Sequence, residues 1–142
     1  MTPSDLQAAV HDLAGSNHSA TVAIRRHLHA HPELSFEEFE TADFIAGKLA
    51  EMDIPFRRLA GTGLLAQIDG TKGPGPVYAL RADIDALPIH EANQVDYCST
   101  KPGIMHACGH DVHTSSLLGS ARILATLRSK FSGSVKLLFQ PG

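Results

Sequence analysis

The hydrophobic period of this chain changes along its length, and that alternation limits the folds open to it. Phe39, Ala42, Ile45, Ala46 and Leu49 recur three and four residues apart, the spacing that gathers side chains on one face of an α-helix. Past Ile54-Pro55 the pattern becomes short apolar runs, Leu64 to Ile68 and then Val77 to Leu80. Leu117, Leu118, Ala121, Leu124 and Ala125 return to helical spacing, and Val135 to Phe139 is a last strand-length run. Helical segments alternating with such runs predict an α/β sheet protein. At 142 residues the chain is long enough for one domain, and its 43% apolar and 19% charged content is that of an ordinary globular sequence.

Local signals set the expected boundaries. Ser4, with Gln7 three residues on, is a candidate cap for a first helix, which runs to about Ala30, loosened between Gly15 and Ser19, and is ended by Pro32. Ser35 and Glu38 have capping-box spacing at the start of the second helix, with Leu34 and Phe39 at staple positions. Gly61-Thr62-Gly63 predicts a turn, and Asp69 to Pro76 a connection rich in breakers. Val77 to Leu80 suits a buried strand of a parallel sheet. Residues 91 to 107 read as irregular, a third helix opens near Asp111, and Gly133 ends the connection to the last strand.

Charge and hydropathy exclude several functions. A net charge of −3 and a pI near 6.3 leave no basic excess to neutralise a phosphate backbone, so no nucleic-acid partner is expected. No stretch approaches the roughly 18 apolar residues of a membrane span, so no membrane partner is expected either. The opening MTPSDLQAAVHDLA has neither the positive region nor the apolar region of a secretory signal, and the expected location is cytoplasmic. In such a compartment Cys98 and Cys108 read as thiols or ligands and not as a disulfide.

Nine histidines are the unusual count, and their placement is uneven. Met105 to Val112 with His113 holds three of them, His106, His110 and His113, together with Cys108 and Asp111. Cys108 and His110 flank Gly109, which lets the backbone turn tightly enough to aim a thiolate and an imidazole at one point. That donor pair favours zinc or another late transition ion, although a zinc site needs at least three protein ligands. Asp111 could cap the following helix or orient a ligating histidine. The plainer alternative is a helix start with a buried cysteine and surface histidines. A second cluster, Arg81 to Pro88, places Asp83 and Asp85 two residues apart past an apolar run, so that period-two geometry points both the same way. They could bind a cation, orient a ligand, or pair with Arg81 as an ordinary strand-end ion pair. In the third, His27 and His31 share a helix face and His29 does not; a polar helix end with cations near its negative terminus accounts for that cluster without a metal.

Together these strings resemble a known family. RRHLHAHPELSFEE, ALRADIDALPIHE, GIMHACGHDVHTSSLLGSARIL and GSVKLLFQPG follow one another in the order and spacing of the co-catalytic metallohydrolases of the aminoacylase and carboxypeptidase type. The branch they resemble is that of hippurate hydrolase, N-acyl-amino-acid amidohydrolase and indole-acetyl-amino-acid hydrolase. The resemblance runs from about residue 22 to Gly142. It implies a three-layer α/β/α catalytic domain, of which residues 1–142 are an incomplete N-terminal portion, with a smaller dimerisation domain absent from this chain. It also implies two divalent ions, zinc, manganese, nickel or cobalt, an N-acyl amino acid substrate, and a homodimer or larger assembly.

By motif match, Cys108 and His110 are metal ligands, and Asp85 is the carboxylate that orients a ligand. Asp83 stands where many relatives have a metal-binding histidine, but the resemblance assigns that ligation to the cysteine. The general-base glutamate and the remaining ligands are expected beyond residue 142. The expected function is therefore amide hydrolysis by the complete enzyme. A non-catalytic truncated product or partial metal-binding module is the alternative for this chain alone.

Overall fold

The computed structural model describes residues 2–142. Helix α1 spans Pro3–Ala30 and α2 Phe39–Glu51. Strands β1 (Phe56–Leu59), β2 (Gly63–Asp69) and β3 (Val77–Asp83) follow. Helix α3 (His110–Thr126) and a 3-10 turn at Arg128–Lys130 lead to β4, Ser134–Gln140.

The strands form one sheet in the order β1-β2-β4-β3. β1 and β2 make an antiparallel hairpin, turned by positive φ at Ala60 and Gly61. β2 pairs antiparallel with β4, Leu64 facing Phe139 and Ile68 facing Val135, and β3 pairs parallel with β4. The α/β class is as expected, but the sheet is mixed, not all-parallel. β1 was not foreseen: Phe56-Arg57-Arg58-Leu59 is exposed at all four positions, so no buried alternation marks it.

One core lies between the helices and one sheet face. Leu64, Ala66 and Ile68 of β2, Ala82 of β3, and Val135, Leu137 and Phe139 of β4 pack in it with Ile24 and Leu28 of α1, Ala42, Ile45 and Leu49 of α2, and Leu117, Leu118 and Ala121 of α3. On the opposite face Leu65, Gln67, Lys136 and Leu138 are half-buried. Within the described residues the helices thus cover one face, and this chain supplies two of the three layers that the resemblance implies. β3 also departs from its reading as a buried strand. It is the sheet edge, with Val77 and Tyr78 each more than 60% exposed.

The helix ends differ from the sequence reading in an informative way. Thr2, not Ser4, caps α1, in a reciprocal box with Asp5, and the helix runs unbroken through Gly15–Ser19. Ser35 does not cap α2. The Glu33 carboxylate takes that place from upstream, accepting the N–H groups of Glu40 at 3.1 Å and Thr41 at 2.7 Å. This frees the Ser35 hydroxyl for a different partner, described next.

Candidate metal centre

The polar cluster forms where the carboxyl end of β3 meets the amino end of α3, the place at which α/β sheets gather sites. Past β3 the backbone stays anchored: Ile84 donates to Gln140 of β4, and Ala86 donates to Glu33. α3 opens directly after Gly109, whose φ of 121° is one that a residue with a side chain rarely adopts. His110 therefore enters the helix on a sharp corner facing the end of β3.

Asp85 holds His110 in one orientation. The Nδ1 of His110 lies 2.8 Å from Asp85 Oδ1 and 3.0 Å from the Asp85 carbonyl oxygen. Both are acceptors, so Nδ1 donates to Asp85, and Nε2 is the ring nitrogen left facing outward. The other Asp85 oxygen accepts from the Ser35 hydroxyl at 2.8 Å. This Nε2 faces Asp83, whose Oδ2 is 3.7 Å away.

Asp83 collects cationic and polar neighbours. His113 Nδ1 sits 2.7 Å from one carboxylate oxygen and Arg81 Nη2 3.2 Å from the other. Partial burial works to raise its pKa, but the hydrogen bond from His113, its own backbone, and the nearby His110 and Arg81 together lower it. Asp83 is ionised at neutral pH as a result. Asp83, His110 and His113 each offer a ligand atom, and these atoms all lie within 4.8 Å of one another. An imidazole oriented by a carboxylate, a second imidazole and an ionised carboxylate make a donor set that fits a divalent transition ion.

The structure sorts the sequence candidates unevenly. Asp85 and His110 come together directly. Cys108 is an exposed free thiol one residue before Gly109, and it is not part of the three-residue donor group. His113, which the sequence reading gave no ligand role, and Asp83, whose cation-binding alternative the resemblance had set aside in favour of the cysteine, enter that group. The i, i+3 spacing of His110 and His113 on a helix was the available signal, and the rings do lie near each other, 5.6 Å between centroids. One Asp111 carboxylate oxygen accepts the Val112 N–H at 3.0 Å in the first turn of α3, and the other pairs with Arg25 and His29.

The remaining histidines fall outside the donor group. His106 is buried, and neither ring nitrogen has a hydrogen-bond partner. Burial pushes its pKa down to about 4, helped by His29 and His110 and opposed by Asp111 and Asp85, so the ring is neutral at pH 7. His27 stacks on His31 and on Phe44, with centroids 4.4 and 4.1 Å apart, and His31 Nδ1 donates to the His27 carbonyl. Cys98 is a half-buried free thiol.

Comparison with known proteins shows what this chain is similar to. Residues 79–142 match the sequence model of Peptidase family M20/M25/M40. The chain is 54% identical over 121 residues to an N-acetyl-L-cysteine deacetylase of Bacillus subtilis, covering 84% of this chain and 29% of that protein. It is 49% identical over 120 residues to an N-acyl-L-amino acid amidohydrolase of Geobacillus stearothermophilus, covering 84% and 32%. Among solved structures it superimposes on a Bacillus subtilis dinuclear metal-binding peptidase of the M20 family. The TM-score is 0.85 and the identity 45%, over 90% of this chain and 36% of that one. Residues 79–142 are thus similar to this family, and the resemblance carried by the four motifs is borne out. The chain spans about a third of the length of the curated relatives it matches.

Proposed function

We propose that this chain is the N-terminal portion of the catalytic domain of a metal-dependent amidohydrolase that cleaves the amide bond of N-acyl amino acids. The observation that carries the reading is His110, held by Asp85 through Nδ1 with Nε2 turned toward Asp83, in the MHACGHD string at the junction of β3 and α3. Two divalent ions, zinc, manganese, nickel or cobalt, are the expected cofactors. When bound, such ions supply a water of lowered pKa and polarise the acyl carbonyl.

This chain's own residues then have defined tasks. Asp85 accepts the Nδ1 proton of His110, which fixes the tautomer and makes Nε2 a better donor. Ser35 keeps Asp85 turned toward His110. Cys108, carried on the Gly109 corner, would be the second ligand in this reading, and Asp83 and His113, whose donor atoms lie within 4.8 Å of that of His110, would set the charge around a bound ion. The general base is a glutamate supplied after position 142. Such an enzyme works in the cytoplasm as a homodimer or larger assembly, on a small-molecule substrate and without nucleic-acid or membrane partners. Within the described residues, no helix is long and apolar enough to cross a membrane.

Turnover tests the proposal. The native gene product is expected to hydrolyse hippurate or a related N-acyl amino acid with added Mn²⁺ or Zn²⁺. His110→Ala or Cys108→Ala should reduce that rate to background. Turnover that survives both changes, or no turnover with any of the four ions, contradicts it.

A further inference from the structure

We infer that His29 is a positioning residue for the metal centre: bridging Asp111 and Glu91, it locks the first turn of α3, which carries His110, to α1 and to the segment leading into Met105–Cys108. The inference rests on the function proposed above, and its geometry is independent of any bound ion. His29 lies on α1, nearly fully buried, with Nδ1 2.7 Å from Asp111 Oδ2 and Nε2 2.9 Å from Glu91 Oε1. Each ring nitrogen thus meets a carboxylate oxygen, so the ring bridges the two side chains, and Arg25 Nη2 lies 3.3 Å from Nδ1 on the same side. Asp111 is fully buried, is the residue after His110, and also takes Arg25 Nε at 2.9 Å. Among the described residues, the side-chain hydrogen bonds and ion pairs between α1 and α3 all converge on Asp111.

The other arm of the bridge reaches the irregular segment between the two motifs. Glu91 also accepts the Ser99 N–H at 2.5 Å and the Asn93 amide at 3.1 Å. Burial would raise its pKa, but these three donors outweigh that and hold it at about 2. The Ser99 hydroxyl donates to the Ile104 carbonyl, and Thr100 donates to Ala30 at the end of α1. The Tyr97 ring meets His29 edge-on, under the guanidinium groups of Arg25 and Arg26. The path from Glu91 to Ile104 is thereby fixed against α1 immediately before Met105 pairs with Leu87. A buried ionic network is a poor way to gain stability compared with apolar packing, because its charges must be desolvated. What this one provides is a fixed direction at both ends of the segment that holds Cys108 and His110.

Two readouts on the same preparations of the protein test the inference. The variants are His29→Gln, Glu91→Gln and, as a control of ordinary core loosening, Ile68→Val. The first readout is amide hydrogen exchange over residues 105–113 without metal, and the second is Zn²⁺ affinity by competition with a chromophoric chelator. Both network variants should speed exchange over 105–113 by about tenfold and weaken Zn²⁺ binding by about tenfold, with Ile68→Val changing neither. Exchange and affinity that match the control, even with a lower Tm, overturn the inference. If His29→Gln does not fold, the nearly isosteric Glu91→Gln decides alone. A wild-type protein that takes up no Zn²⁺ contradicts the reading of the site, while exchange over 105–113 still decides whether the bridge positions the segment.

Discussion

Three buried carboxylates, Asp85, Asp111 and Glu38, show how single residues hold this site together. Asp85 orients His110, Asp111 pairs with His29 and Arg25, and Glu38 accepts from Thr62 and from the Gly142 N–H at the end of β4. Motif order in the sequence was enough to find Asp85 and His110. It did not find the partners of Glu38 or His29, because those bonds span 24 to 104 residues and follow no local period. Asp83 and His113 were missed as a pair for the same reason, being 30 residues apart. Glu91 gives this scale a pH test. Its folded pKa of about 2 lies below the ordinary value of 4.5, so its contribution to stability is fully present above that ordinary value and is lost as pH falls through the folded one. Urea melts of the wild type and Glu91→Gln should therefore differ most at neutral pH and converge toward pH ~3. A stability gap that stays constant over that range would contradict the assignment.

At the scale of elements, legibility followed burial. The apolar faces of α2 and α3 and the cores of β2 and β4 were read correctly except at Phe39, which was assigned to the α2 face and is exposed, because each element buries one face at a regular period. β1 has no buried position and left no trace in the pattern. The helix caps were misplaced because the chain had nearer or stronger acceptors than the nominal capping serines, Thr2 for α1 and Glu33 for α2. β3 was misread in the opposite direction. Val77, Tyr78 and Leu80 are apolar enough for a buried strand, yet they lie exposed on the sheet edge. An open edge with such side chains is a template for pairing with another strand. The chain on its own should self-associate, and Tyr78→Lys with Leu80→Lys should shift it toward monomer in sedimentation velocity without changing its far-UV circular dichroism. Equal association of the variant and the wild type would place the sticky surface elsewhere.

Across the whole molecule, a mixed four-stranded sheet with helices on one face positions the end of β3, the start of α3 and the Glu33–Ser35 corner around one imidazole. The class of fold and the neighbourhood of the candidate site were legible because the helix and strand periods and the MHACGHD string are present in this third of the relatives' length. The mixed strand order was not legible, since nothing local in β2 or β3 records that one pairs antiparallel and the other parallel with β4. The central claim is that His110 and Cys108 bind a divalent ion together. Co²⁺ replaces zinc and reports a thiolate ligand directly, so the decisive measurement is the absorption spectrum of the protein titrated with Co²⁺, for the wild type, Cys108→Ser and Asp83→Asn. The account predicts a thiolate-to-cobalt charge-transfer band in the near ultraviolet that is lost in Cys108→Ser and kept in Asp83→Asn. Cobalt bound without that band, and released by Asp83→Asn instead, would contradict it and assign the ion to Asp83, His110 and His113.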